Sequence, residues 1–194
     1  MAFFDEARIT VISGKGGNGC SSFRREKYIP KGGPDGGDGG KGGDVVAIHD
    51  RNLNSLINLK GKRVFSAKSG KAGSGKNMKG ESGEDLLIPL PNGTLIYADK
   101  TSELIGEITD TNEKIVLAKG GKGGLGNARF KSSTNQSPRK FTEGEEADER
   151  DIMLELRLIA DIGLLGLPNA GKSTLINNIT NSKQVIKVGD TQAD

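Results

Sequence analysis

Apolar residues occur in short clusters through the first four fifths of the chain, separated by long stretches that hold almost none. Ala7-Arg8-Ile9-Thr10-Val11-Ile12 alternates in the manner of a half-buried strand. Val45-Val46-Ala47-Ile48, Leu86-Leu87-Ile88-Pro89-Leu90, Thr94-Leu95-Ile96-Tyr97 and Lys114-Ile115-Val116-Leu117 have the same β-rich composition. Pro91-Asn92-Gly93 predicts a turn between two of them. Between Asp151 and Leu158, Ile152, Leu154, Leu156 and Leu158 fall on one face of a further strand. Immediately beyond, Ile159 to Leu165 is a mostly apolar run bounded by glycine, as a buried parallel strand would be. Ser173 to Ile179 then has apolar residues at 175, 176 and 179, a helical spacing. The pattern predicts a compact β-barrel or sandwich ending near 157–160, so that 1–158 and 159–194 are separate units.

The stretches between the strands are glycine-rich. Thirty of the 194 residues are Gly, and 25 of these lie at or before Gly126; the total is about double the usual share. In Gly36-Gly37-Asp38-Gly39-Gly40-Lys41-Gly42-Gly43 the pairs repeat every three residues, and Gly120-Gly121-Lys122-Gly123-Gly124-Leu125-Gly126 keeps the same phase. Gly14/Gly17, Gly16/Gly19, Gly70/Gly73 and Gly80/Gly83 are shorter echoes. Three residues is one turn of the polyproline II helix, which makes no internal backbone hydrogen bonds. Two glycines per turn leave two faces bare, so neighbouring extended segments can approach and exchange N–H···O and Cα–H···O contacts. A bundle of glycine-rich arms is therefore expected. Flexible linkers are the alternative, but linkers have no reason to hold a phase. Collagen requires long uninterrupted G-X-Y with abundant proline, and the chain has six Pro.

Charge narrows the function. The formal net charge is +3, with 28 Lys and Arg against 25 Asp and Glu. Residues 1–83 hold 15 cations and 8 acids, whereas 84–194 hold 13 and 17, so an anionic partner belongs with the first half. One cysteine, Cys20, and one histidine, His49, supply neither a disulfide framework nor a zinc cluster. Both are expected to be structural or incidental. No long apolar stretch predicts a membrane span or signal peptide, and a cytoplasmic location is expected. Lys15, Arg24, Arg25, Lys27, Lys31, Lys41, Lys71, Lys76, Lys79 and Lys122 lie in or beside the glycine segments and are candidates to meet RNA phosphates. Ordinary solvated charge is the competing reading for any one of them. Tyr28 and Phe23 could stack on bases or pack at the foot of an arm. Ser132 to Pro138 is expected to be a polar surface loop, and Glu143 to Asp151 a solvated acidic turn.

Gly166-Leu167-Pro168-Asn169-Ala170-Gly171-Lys172-Ser173 fits the phosphate-binding pattern G-x-x-x-x-G-K-[ST], with Thr174 next. Backbone amides of such a loop wrap phosphate, Lys172 would reach the terminal phosphates, and the Ser173 hydroxyl would ligate Mg2+. Strand, glycine loop and helix occur in the order that the motif needs.

Together these segments resemble the Obg family of translation-associated GTPases. The resemblance is carried by Ser13-Gly14-Lys15-Gly16-Gly17-Asn18-Gly19, by Phe23 through Pro34, by Gly36 through Val46, by Lys119 through Asn127, and by Leu154 through Gly163 leading into the phosphate loop. It spans about 180 residues. The fold implied is mainly β: an Obg domain over 1–158, a small β-barrel or sandwich carrying polyproline-II-like arms, then a truncated P-loop α/β fragment over 159–194. GTP and Mg2+ are the implied cofactors, held by Gly166 to Thr174 with Ser173 on the metal. The implied partner is the large ribosomal subunit and its rRNA during late assembly, with no DNA and with a monomeric chain. No catalytic residue is assigned. The family's D-x-P-G and N-K-x-D motifs do not follow the loop, and the segment from Gln184 to Asp194 diverges, so Thr191 is not given the switch role. As given, the chain is expected to bind GTP weakly or not at all, to lack GTPase activity, and not to distinguish GTP from ATP. A non-catalytic rRNA-binding module, or an inactive fragment, is the alternative to an Obg GTPase whose catalysis belongs to a longer form.

Overall fold

The computed structural model describes residues 5–25 and 32–157, all within the compact unit Met1–Leu158. Among the described residues eight strands build two sheets: β1 (Glu6–Ile12), β2 (Val45–His49), β3 (Val64–Ser66), β4 (Leu86–Leu90), β5 (Thr94–Ala98), β6 (Glu103–Ile108), β7 (Lys114–Ala118) and β8 (Glu149–Leu156). One sheet runs β3-β1-β8-β5-β6 and the other β4-β2-β7. Two single-turn 3-10 helices occupy Ile57–Leu59 and Asn127–Phe130.

Strand periodicity decides which side chains enter the core. Ala7, Ile9 and Val11 of β1 are buried, as are Ile152, Leu154 and Leu156 of β8, and the two strands pair antiparallel with Ile9 opposite Ile152. Val45 and Ala47, Ile88 and Leu90, and Leu117 and Ala118 meet them in the same core from the smaller sheet. Leu56 and Leu59, three residues apart, bring the first 3-10 turn into that core. Pro89 is tolerated in β4 because β4 is an edge strand. Gly93, at φ +77°, makes the expected turn ahead of β5, and the buried Thr94 hydroxyl donates to the Pro91 carbonyl at 2.7 Å.

Two strands are absent from the apolar pattern, β3 and β6, and they are the two edges of the larger sheet. β3 has three residues, and β6 carries Glu103, Gly106 and Glu107. Short, charged edges blunt strand-to-strand association and lose the alternation that marks a central strand.

Six strand ends converge at one end of the sheets. Ile12 lies opposite both Ser66 and Glu149, and Val45 lies opposite both Leu86 and Ala118. From this rim six extended arms arise: arm 1 (13–21), arm 2 (35–44), arm 3 (67–75), arm 4 (78–85), arm 5 (119–127) and arm 6 (141–148). Arm 6 is a correction to the expected acidic turn. Glu143 to Asp148 is extended and hydrogen-bonded into the bundle, and β8 has already begun at Glu149.

Candidate nucleic-acid interface

The arms are joined by a three-residue hydrogen-bond code. In arm 1 the amides of Ser13, Gly16 and Gly19 donate to the carbonyls of Asp148, Glu145 and Thr142 in arm 6. The intervening amides of Gly14, Gly17 and Cys20 donate to Gly43, Gly40 and Gly37 in arm 2. The carbonyls of Gly14, Gly17 and Cys20 accept from Gly121, Gly124 and Asn127 of arm 5, and those of Lys15 and Asn18 accept from Gly70 and Gly73 of arm 3. Arm 2 repeats the scheme. Its Gly37, Gly40 and Gly43 amides donate to Ser74, Lys71 and Lys68, while its Asp38 and Lys41 carbonyls accept from Gly80 and Gly83 of arm 4. Arms 1 and 2 form the centre, and the other four flank them.

Such contact is possible only where a β-carbon is missing. A β-carbon on Gly39, Gly42 or Gly120 would overlap the carbonyl of Gly17, Gly14 or Gly42 respectively. The phase of the glycines is thus the phase of interhelical contact, which the linker reading does not explain.

The cations proposed from sequence divide sharply by position. Along the shaft, Lys15 pairs with Glu146 at 2.7 Å, Lys41 with Asp44 at 2.8 Å, Lys71 with Glu81 at 2.6 Å and Lys122 with Glu145 at 3.8 Å. Lys68 and Glu84 add a fifth pair at 2.5 Å. Most of these bonds tie one arm to the next. The Glu146 carboxylate raises the Lys15 pKa, Glu84 raises that of Lys68, and Lys71 lowers that of Glu81. Asp38 and Asp44 are partly buried, which opposes ionisation. That opposition is outweighed at Asp38 by the Gly126 amide and Arg129, and at Asp44 by Lys41 and the Gly120 amide, so both pKa values lie below the ordinary range.

At the far end of the bundle the loops linking arms 1 to 2, 3 to 4 and 5 to 6 are held together by two buried polar side chains. Asn127 is fully buried: its Oδ1 accepts from the Gly36 amide at 2.8 Å, and its Nδ2 donates to the Ser22 carbonyl at 2.9 Å and the Pro138 carbonyl at 3.1 Å. Asp35 accepts from the Ser22 hydroxyl at 2.5 Å and the Lys76 amide at 3.0 Å. Lys76 and Asn77 adopt left-handed backbone, φ +61° and +56°, to complete that turn. Phe23 bridges to Pro34 at the foot of the first loop.

Among the described residues, Arg25, Lys76 and Lys79 of this tip are exposed and have no ion-pair partner within 4.0 Å. Arg24 is exposed beside them. Sequence reasoning missed four further cations: Arg129, Lys131, Arg139 and Lys140, in a segment from Ala128 to Phe141 that contains no acid. Arg129 is held by Asp38 at 2.8 Å, and the Lys140 ammonium lies over the Phe130 ring, 5.5 Å from its centroid. The missed signal is the pair of basic-aromatic triplets Arg129-Phe130-Lys131 and Arg139-Lys140-Phe141 that flank the polar loop, a composition suited to phosphates and bases. Ser132 to Ser137 is exposed, as expected for that loop.

Lys27, Lys31, Tyr28 and the whole phosphate loop, Gly166 to Thr174 with Ser173, lie outside the described residues. Among the described residues no three His, Cys, Asp or Glu side chains are grouped to hold a metal ion, and no helix is long and apolar enough to cross a membrane.

Two family models match the chain. Residues 161–193 match the family model described as 50S ribosome-binding GTPase. Residues 4–158, most of the chain, match the GTP1/OBG model, and the protein therefore belongs to the GTP1/OBG family.

Proposed function

We propose that the chain is an Obg-type GTP-binding protein that acts in assembly of the large ribosomal subunit, with the tip of the arm bundle contacting rRNA. The observation that carries this reading is the sorting of charge along the bundle. Cations on the shaft are neutralised by carboxylates of neighbouring arms, whereas those at the tip face solvent on a scaffold braced by Asn127 and Asp35. A rigid, acid-poor cationic end suits a phosphate backbone. Of the described residues proposed from sequence, Arg24, Arg25, Lys76 and Lys79 are kept as RNA contacts, joined by Lys131, Arg139 and Lys140; Lys27 and Lys31, outside the described residues, stay proposed on sequence alone. Lys15, Lys41, Lys71 and Lys122 are better suited to holding arms in register.

For the nucleotide, Gly166 to Thr174 are proposed to hold the phosphates of GTP, with Lys172 as counter-charge and Ser173 as a magnesium ligand. The donor set fits: one ammonium, two hydroxyls, eight backbone amides, six of them consecutive from Asn169 to Thr174, and no carboxylate to repel an anion. Pro168 supplies no amide and interrupts the row. The bound ion would neutralise phosphate charge. No D-x-P-G or N-K-x-D occurs in the 194 residues, so no residue here is assigned to base reading or hydrolysis, and a domain boundary near 158 is part of the proposal.

Purified large ribosomal subunits titrated across a series of KCl concentrations test the RNA reading. Replacing Lys131, Arg139 and Lys140 by Gln is expected to reduce the slope of log K against log salt by about 2 to 3. An unchanged slope and affinity would overturn it. For the phosphate loop, a fluorescent GTP analogue with Mg2+ is the probe: Lys172→Ala should remove whatever binding the unaltered chain shows, and ATP should compete as well as GTP. Competition by GTP alone would show that base reading resides in these residues after all.

A further inference from the structure

The larger sheet has two edges of opposite charge. The segment 51–63, which runs from just after Asp50 at the end of β2 to the β3 edge, contains Arg51, Lys60, Lys62 and Arg63 and no acid; indeed no Asp or Glu occurs anywhere from Arg51 to Gly80. At the β6 edge, residues 99–113 hold five acids and one lysine. β3 and β6 are the first and last strands in the order β3-β1-β8-β5-β6.

The basic segment is presented outward for a reason of packing. Leu56 and Leu59 point into the core, so the intervening turn faces solvent, with Ile57 exposed at 55%. The Asn58 amide group donates to the Pro89 carbonyl of β4 at 3.3 Å, and the Thr10 amide of β1 donates to the Arg63 carbonyl at 2.7 Å. The segment is thereby fastened at both sheets. Arg51, Lys60, Lys62 and Arg63 are all exposed, and among the described residues none has a carboxylate within 4.0 Å. Lys62 alone is engaged, its ammonium 4.7 Å from the centre of the Phe65 ring. Four cations left without counter-charge contrast with the shaft, where Lys68 and Lys71, a few residues later, each have a glutamate.

We infer that this β3 edge is a second polyanion-binding face, and that its ligand is the phosphate backbone of double-helical RNA. The choice of RNA rests on the proposed function; the choice of a polyanion rests on the geometry. Arm 3 (67–75) separates this face from the tip by about 28 Å, taking nine residues at the polyproline II rise. A ligand that meets both cationic faces while passing a neutralised shaft must carry regularly spaced charge over at least that length, as a nucleic acid does. Glu103 and Glu107 on the β6 edge repel the same ligand, so the field of the molecule favours presentation of the β3 side.

The test uses the full chain and a fluorescein-labelled 20-base-pair RNA duplex of arbitrary sequence, titrated in KCl from 50 to 300 mM, beside large ribosomal subunits. The Arg51→Gln, Lys60→Gln, Arg63→Gln variant should bind the duplex about tenfold or more weakly at low salt, with its salt slope reduced by about 2 to 3. Lys62 is left in place because it packs on Phe65. Unchanged duplex affinity and slope would overturn the inference. So would undiminished duplex binding together with lost subunit binding, which would give the edge to a protein partner. If the triple variant fails to fold, Lys60→Gln alone should lower the slope by about 1, and Glu103→Gln with Glu107→Gln should tighten duplex binding; absence of both effects refutes the inference. The tip reading fails separately, when the Lys131, Arg139, Lys140 variant binds subunits as the unaltered chain does.

Discussion

Gly42→Ala tests the central claim about the arms. A β-carbon at Gly42 would overlap the Gly14 carbonyl group and would still stand only 2.9 Å from the Gly14 α-carbon, and all of these are backbone atoms that no rotamer change can move. Arms 1 and 2 must recede from each other by more than about 1 Å before ordinary contact is restored. Four hydrogen bonds meet at this point: Gly42 to Gly121 at 2.9 Å, Gly121 to Gly14 at 3.0 Å, Gly14 to Gly43 at 2.8 Å and Gly43 to Lys68 at 2.9 Å. Lengthening by that amount carries a bond of this kind beyond 3.6 Å, where it no longer counts as one. Each buried backbone group left without a partner costs about 1 to 3 kcal/mol. Loss of two of the four bonds already destabilises by at least about 4 kcal/mol, a large part of the roughly 5 to 15 kcal/mol that holds a domain together. In urea, at about 2 kcal/mol per molar, the midpoint should fall by about 2 M. Far-UV circular dichroism is the readout, since the chain has no tryptophan. Gly33→Ala is the internal control, because a β-carbon there meets only the Lys131 ammonium at 3.9 Å; its midpoint should hold or rise slightly. Equal midpoints for the two variants would refute the close-contact account and return the arms to flexible linkers.

Further predictions concern the tip, the acid limb of stability and the shaft. Asn127→Ala leaves the Gly36 amide and the Pro138 carbonyl without partners, while the Ser22 carbonyl keeps the Asp35 amide, and urea unfolding should show a loss of about 2 to 4 kcal/mol; Asn127→Asp keeps only the Gly36 bond and should recover part of that. Asp38 and Asp44 have depressed folded-state pKa values, so their stabilisation is present above the ordinary carboxylate pKa near 4 and disappears as pH falls through the lower folded values. Thermal midpoints should therefore drop steeply below about pH 4, and Asp38→Asn with Asp44→Asn should flatten that drop. Lys68→Met and Lys71→Met remove exposed pairs and should scarcely shift the urea midpoint in 0.5 M NaCl.

Much of the fold could be read because its two periodicities survive in the chain. Period two placed β1, β2, β4, β5, β7 and β8, and period three placed arms 1, 2 and 5, which carry two glycines per turn, with the shorter echoes Gly70/Gly73 and Gly80/Gly83 falling in arms 3 and 4. Arm 6 escaped because it lies outermost, flanked only by arms 1 and 5, and so requires glycine at a single position, Gly144 against Gly16. Glu143, Glu145 and Glu146 turn outward, and in sequence they look like a solvated turn. The site was less legible than the fold for a related reason. A lysine in a glycine segment reads the same whether it faces a glutamate of another arm or solvent, and the partners of Lys15 and Lys122 are 131 and 23 residues away. Only the fold separates shaft from tip.

Arm 1 also constrains the order in which the chain can mature. Its outer amides bond to Thr142, Glu145 and Asp148, and β1 beside it pairs from Glu6 opposite Glu155. At a synthesis rate of roughly 5 to 20 residues per second, the glycines near position 14 wait for about 7 to 27 seconds before those partners exist. A hydrophobic segment held open that long would invite aggregation. Ser13-Gly14-Lys15-Gly16-Gly17-Asn18-Gly19 has no apolar side chain to expose, so this glycine-rich arm can stay solvated and unpaired until the last strand closes the domain.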